Sequence, residues 1–237
     1  MQVDLLAFGP HPDDIEIGIG GTLAKHVQAG QRVGLCDLTR GELGSNGTVE
    51  QRRAEADAAL QVLGATWREN LGLPDGGLRD EPDQIRAVAE LIRRARPRTV
   101  AAPYWEDRHP DHVGASRLVT AAAFRAGLRL ADLEGEPFQP DWVCYYFIND
   151  SGPASFVVDV SAQYEIKRRA LRCHRSQFEA ASDGAVQTRL TSAAFLRLVE
   201  SRDEQFGARL GVSFGEGLVV TEPIVRAGLL RVDEVGA

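Results

Sequence analysis

Strand-length apolar runs alternate with helix-length amphipathic runs through the first 126 residues, loops rich in Gly, Pro and Asp separate them, and no period repeats along the chain. Together these observations predict an α/β chain. The expected form is a Rossmann-like, mainly parallel sheet flanked by helices on both faces, with a small β/α C-terminal elaboration over residues 127–237.

Residues 3–8, V-D-L-L-A-F, read as a short buried strand, since the apolar run is too short for a helix. Residues 15–29 read as the helix after it, and residues 32–38 as a second, β-branched and apolar strand. The stretch 39–47, T-R-G-E-L-G-S-N-G, is a Gly-rich loop. Over 49–63, Ala56, Ala59, Leu60 and Leu63 share one helical face, and Gly64 is the expected C-cap. Residues 71–83 read as a loop, 84–95 as a helix, and 99–102 as a strand ended by Pro103. A helix is expected over 112–126. Beyond it, strands at 142–148 and 156–160 surround the turn-forming N-D-S-G-P-A-S, helices follow at 164–174 and 192–210, and a last strand lies at 217–221.

A length of 237 residues fits a single domain with some elaboration. Hydrophobic content of 43% supplies a buried core. No apolar run approaches the roughly 18–20 residues needed to cross a bilayer. The N-terminus lacks a basic region and a cleavage site, so a cytoplasmic protein is expected. A net charge of −7 argues against nucleic acid or an anionic membrane surface as partner. The three cysteines are too scattered for a disulfide framework or a CxxC site, and Cys36 and Cys144 fall in strand-like runs that suit the core. The 25 arginines beside 2 lysines leave many guanidinium forks for carboxylate or phosphate groups.

Three of the five histidines lie in two short motifs, P-H-P-D-D at residues 10–14 and D-R-H-P-D-H at 107–112. Each motif directly follows an expected strand, and ligands of open parallel sheets bind beyond the carboxyl ends of the strands. His11 and Asp14 are three apart, as are His109 and His112, so each motif can aim two side chains at one point. A catalytic zinc site needs three such ligands and an open position. Asp13 is left as a candidate base, and the spare histidine as a candidate acid or oxyanion donor. The plainer alternative makes Asp13 or Asp14 an ordinary helix N-cap. His26 reads as a surface residue, and His174 as structural.

The motifs P-H-P-D-D, T-R-G-E-L-G-S-N-G-T, R-R-A-E (52–55), N-L-G-L-P-D-G and D-R-H-P-D-H together resemble the LmbE/PIG-L family of zinc-dependent de-N-acetylases. The likeness returns in R-S-Q-F, S-D-G and E-G-L. The pairing of G-S-N-G-T with D-R-H-P-D-H is similar to the branch that deacetylates N-acetylglucosaminyl malate in bacillithiol synthesis. The resemblance implies one Zn²⁺ per chain, held by His11, Asp14 and His112. It also implies that Asp13 is the general base, and that His109 steadies the tetrahedral intermediate or protonates the leaving amine. Asp111, between the two histidines, would orient a ligand rather than bind the metal. The partner implied is a small-molecule N-acetylglucosaminide, and relatives imply a homo-oligomer.

A malate-bearing substrate would need bidentate arginine contacts. Arg52, after the Gly-rich loop, and Arg108, beside His109, are the expected receptors, with Ser45 and Asn46 as further donors. Some relatives bring a tyrosine to the oxyanion from the C-terminal helices, where this chain has Phe195, which would leave more of that work to His109. Other acetylated substrates, chitooligosaccharides or thiol conjugates, fit the same site. A nucleotide-binding module is disfavoured, because Leu23 stands where G-x-G-x-x-G needs its last glycine after Gly18 and Gly20. A non-catalytic protein that keeps the site would bind metal without turnover.

Overall fold

The computed structural model describes residues 1–179 and 186–224. The strands are β1 (Leu5–Gly9), β2 (Val33–Thr39), β3 (Trp67–Leu73), β4 (Thr99–Pro103), β5 (Trp142–Tyr146), β6 (Phe156–Asp159) and β7 (Gly215–Val219). They form one sheet in the order β3-β2-β1-β4-β5-β7-β6. The first five strands pair in parallel, and β7 runs antiparallel to both β5 and β6. The expected α/β, mainly parallel architecture is the observed one.

Side chains alternate across the pleat. Leu6, Phe8, Cys36 and Val100 face a core closed by α3 (Pro82–Ala95) and α4 (Pro110–Ala126). Leu5, Ala7, Leu35 and Cys144 face a second core under α1 (Asp14–Gln28), α2 (Val49–Leu63), α5 (Tyr164–Leu171) and α7 (Ala193–Ala208). Both strand cysteines are buried, as their apolar surroundings suggested. Local chemistry sets the helix ends. The Thr48 hydroxyl accepts from Gln51 N at the start of α2, and Gly64 closes it at φ 71°. Proline occupies the first turn of both α3 and α4.

Two expectations need correction. Residues 71–73, read as loop, complete the edge strand β3. Its sequence W-R-E-N-L-G-L hides the strand because Arg68 points inward. Its guanidinium donates twice to Asp37 at 2.7 Å and once to Glu16 at 2.5 Å. The helix expected over 164–174 ends at Leu171, and a separate turn, α6 (Arg175–Phe178), follows.

The helix α1 is broken at Ile19 (φ −138°). The Glu216 carboxylate accepts from Gly21 N at 3.0 Å and Thr22 N at 2.6 Å, while Arg202 donates to Ile17 O at 2.7 Å. The glycines around the break permit close packing. A Cβ on Gly18 would lie 2.1 Å from the Tyr146 ring, and one on Gly21 would lie 2.8 Å from Val160. Packing, rather than a phosphate, accounts for that glycine run.

Candidate active site

The turns after β1 and β4 meet at the carboxyl edge of the parallel strands, beside a cleft of about 370 Å³. His11 Nε2 lies 3.1 Å from Asp75 Oδ1, and a carboxylate there can only accept. That hydrogen bond keeps a proton on Nε2, so Nδ1, which faces Asp14, is the nitrogen that would give up its proton to a metal. His112 is set the opposite way round. Its Nδ1 donates to Asp107 Oδ1 at 3.1 Å, so Nε2 is the nitrogen that would lose its proton to a metal. Both of these nitrogens face one atom: His11 Nδ1 and His112 Nε2 lie 3.0 and 3.4 Å from Asp14 Oδ2, which accepts from them in the metal-free protein. The donor atoms of His11, Asp14 and His112 all lie within 4.8 Å of one another, and all three residues are largely buried. Two imidazoles and a carboxylate make a set suited to a divalent cation such as zinc.

His11, His109 and Asp111 form a second grouping within the same reach. The hydrogen bonds disfavour it. His109 caps α4, accepting from Asp111 N at Nδ1 over 3.2 Å, so the neutral ring has only an N–H at Nε2. Asp111 accepts from Gly76 N at 2.7 Å and Leu78 N at 3.2 Å, which pins the loop that presents Asp75 to His11. Asp111 Oδ2 also lies 3.4 Å from His11 Nε2.

Asp13 is the residue before α1, but its side chain makes no capping hydrogen bond. Its φ of 136° is a strained value for a non-glycine residue, of the kind that collects at functional sites. The carboxylate lines the cleft, and its buried Oδ2 has no hydrogen-bond partner among the described residues. Burial pushes its pKa up to about 6, against the pull of the Arg52 guanidinium 3.6 Å away. Asp14 behaves oppositely. Burial would raise it, but His112 and His11 hold it well below the usual carboxylate range. Burial lowers His109, and the neighbouring histidines lower it further. His112 is raised to about 9, since Asp14 and Asp107 outweigh its burial.

The PIG-L family model, GlcNAc-PI de-N-acetylase, matches residues 6–123. The chain is 32% identical to the diacetylchitobiose deacetylase of Thermococcus kodakarensis over 189 residues, covering 73% of this chain and 70% of that protein. The chain belongs to the PIG-L/LmbE family of de-N-acetylases. The conserved protein TT1542 from Thermus thermophilus superposes at a TM-score of 0.88 with 42% identity, covering 98% of this chain and all (100%) of that one. The N,N'-diacetylchitobiose deacetylase of Pyrococcus horikoshii shares the fold at a TM-score of 0.78 and 22% identity, over 92% of this chain and 83% of its own.

The motifs that suggested the PIG-L/LmbE family are knit together in space. Glu55 of R-R-A-E accepts from Ser176 N at 2.8 Å and Ser176 Oγ at 2.7 Å in R-S-Q-F, and Glu216 of E-G-L caps the break in α1. S-D-G, at 182–184, lies outside the described residues. No tyrosine lines the cleft among the described residues. Phe195 does, 3% exposed and stacked on Phe178, and it offers no hydroxyl.

Two of the expected substrate donors line the cleft and are hydrogen-bonded within the protein. Arg52, at the wall of the cleft, is buried and donates to Gly41 O at 3.1 Å and Pro12 O at 3.0 Å, so it braces the turn of Asp13. Asn46 pairs both ends of its amide with the backbone of Val186 at 2.8 Å, pinning the segment after residue 185 to the Gly-rich loop. Arg108 and Ser45 are exposed and line the cleft. His26 lies near the surface, bonded to Gln31. His174 is 1% exposed, 3.6 Å from Glu16 beneath the site.

Sequence reasoning missed Asp75, Asp107 and Asn149. Asp107 accepts from Asn149 N at 3.1 Å, Asn149 Nδ2 at 2.9 Å and His109 N at 2.8 Å, besides holding His112. The signal was present, since Asp107 shares its motif with His112 and Asp75 falls in the N-L-G-L-P-D-G run, yet Asp in P-D-G and E-D-R reads first as a turn former.

Proposed function

We propose that this chain is a zinc-dependent N-deacetylase that hydrolyses the acetamide of a GlcNAc-type sugar, with N-acetylglucosaminyl malate as its substrate. The products would be acetate and glucosaminyl malate, as in bacillithiol synthesis. The observation that supports this reading best is the shared aim of His11 Nδ1, His112 Nε2 and Asp14 Oδ2, with the unpartnered Asp13 Oδ2 in the same cleft. Bound at those three atoms, Zn²⁺ would polarise the acetyl carbonyl and acidify the attacking water.

The remaining work falls to the chain. Asp13, with a pKa near 6, is ionised at neutral pH and takes a proton from water as the oxygen attacks the acetyl carbon. His109, neutral at that pH, directs its Nε2–H toward the oxyanion. As the C–N bond breaks, Asp13 returns the proton to the departing amine. Arg52 and the carbonyl contacts it makes keep the Asp13 carboxylate from turning away. The likeness to a diacetylchitobiose deacetylase favours a neutral chitooligosaccharide as second reading.

The test is acetate release from N-acetylglucosaminyl malate and from diacetylchitobiose, with chelated protein and with protein given back one equivalent of zinc. Zinc-restored release from the malate glycoside supports the proposal. Release from diacetylchitobiose alone transfers it to the second reading. Zinc binding without release from either sinks both.

A further inference from the structure

We propose that Arg189 determines specificity in this cleft, receiving a carboxylate on the part of the substrate that departs from the sugar. The inference rests on the deacetylase reading and names the substrate class of the same site. Arg189 is exposed on the segment that Asn46 clamps across the Gly-rich loop. Its guanidinium donates from Nη1 to Asn149 Oδ1 at 3.3 Å and lies 5.5 Å from the centre of the Phe195 ring. Asn149 and Phe195 both line the cleft, as do Thr188 and Leu190 on either side of the arginine.

Asn149 is also 3.4 Å from His112 Nδ1 through its Nδ2, so the guanidinium stands one side chain away from a metal ligand. Among the described residues, neither Arg189 nor Arg108 lies within 4.0 Å of a carboxylate, although the chain has 34 acidic residues. A guanidinium over an aromatic face, with one nitrogen bonded at 3.3 Å to a neutral amide, is prepared to exchange that amide for a carboxylate in bidentate geometry. Arg108 supplies a second positive charge in the same cleft. With Arg52 buried against Asp13, Arg189 takes the place that the sequence had given it. A neutral sugar would use neither charge, so the ligand chemistry indicated is an acidic aglycone.

The experiment compares full-length wild type with Arg189→Gln. Calorimetry on metal-free protein gives affinities for the malate glycoside and the methyl glycoside of N-acetylglucosamine, and acetate release is followed on zinc-loaded protein. The expected result is that Arg189→Gln reduces the preference for the malate glycoside over the methyl glycoside about 10–100-fold, the worth of a charge-assisted hydrogen-bonded pair. An unchanged preference overturns the proposal even if acetate is released. A preference lost in the variant, with no acetate released by wild type, upholds Arg189 and removes the deacetylase reading. Equal losses for both glycosides, together with weaker zinc binding, would show that the arginine only supports His112 through Asn149, and that outcome also overturns it. No preference for the malate glycoside in wild type overturns it as well.

Discussion

Replacing Asp107 with alanine isolates the contribution of a carboxylate that does not touch the metal position. The residue accepts from His112 Nδ1 at 3.1 Å, fixing the tautomer that turns Nε2 toward Asp14. Without it the His112 proton is free to move to Nε2 and the ring is free to rotate. Loss of such an orienting partner weakens metal binding about 10–100-fold, or about 1.4–2.7 kcal/mol. Two donors of Asn149 lose their acceptor at the same time, and at their half-buried depth this costs about 2 kcal/mol of folding stability in all. The assay is zinc competition against a chromophoric chelator, paired with urea unfolding of the metal-free protein. Asp107→Asn, which keeps an oxygen for His112, should lose less zinc affinity than Asp107→Ala. A folded Asp107→Ala protein whose zinc affinity stays within about twofold of wild type would refute the reasoning, since His112 would then need no orienting partner.

Asp13→Asn should lower kcat about 10²–10⁴-fold and leave zinc stoichiometry at wild type, because the residue is a base outside the ligand set. Its melting temperature should not fall, since asparagine tolerates φ 136° at least as well and removes a buried charge. Adding zinc to metal-free protein at pH 7 should release close to two protons in a weakly buffered titration. His112, raised to about 9, and His11, raised well above its ordinary value, both give up a proton to bind, so apparent affinity should climb with pH. The same raised pKa stabilises the metal-free fold fully below about pH 6.5, and that contribution should disappear as pH rises through about 9. Lys167→Met should cost about 3–5 kcal/mol in urea unfolding, because Asp203 and Glu216 would remain buried without their ammonium partner.

Both faces of the sheet and most helices were legible because period-2 and period-3.6 patterns are local properties of the chain, as Leu5–Phe8 and the Ala56–Leu63 face illustrate. The turns at His11 and His109 were legible for a related reason. Proline and aspartate fix the backbone there, and the strands leading into them place both turns on one edge. What stayed hidden depends on partners far away in sequence. The start of β3 carried no assignment, and residues 71–73 looked like loop, because the inward position of Arg68 makes sense only once Asp37 and Glu16 surround it. The hydrogen bonds of Arg52 and Asn46 were hidden as well, because their partners are backbone carbonyls and amides that no side-chain pattern reveals.

The break in α1 ties the second part of the chain to the chemistry of the first. Interrupting a buried helix at Ile19 frees the Ile17 carbonyl and the amides of Gly21 and Thr22, and each unpaired buried group would cost about 1–3 kcal/mol. Arg202 and Glu216 supply the missing partners, and Lys167 and Asp203 balance their charges, two positive against two negative. Glu216 also acts at the right electrostatic end, since a carboxylate at a helix N-terminus is favoured by the dipole. The first turn of α1, with Asp14 in it and Asp13 just before it, is thereby held apart from the rest of the helix by residues 167–216. Residues 1–126 contain every ligand of the candidate metal site, yet they lack the ions that fix the helix on which Asp14 rides. Geometry at Asp13 and Asp14 is therefore a property of the whole sheet, including its antiparallel edge.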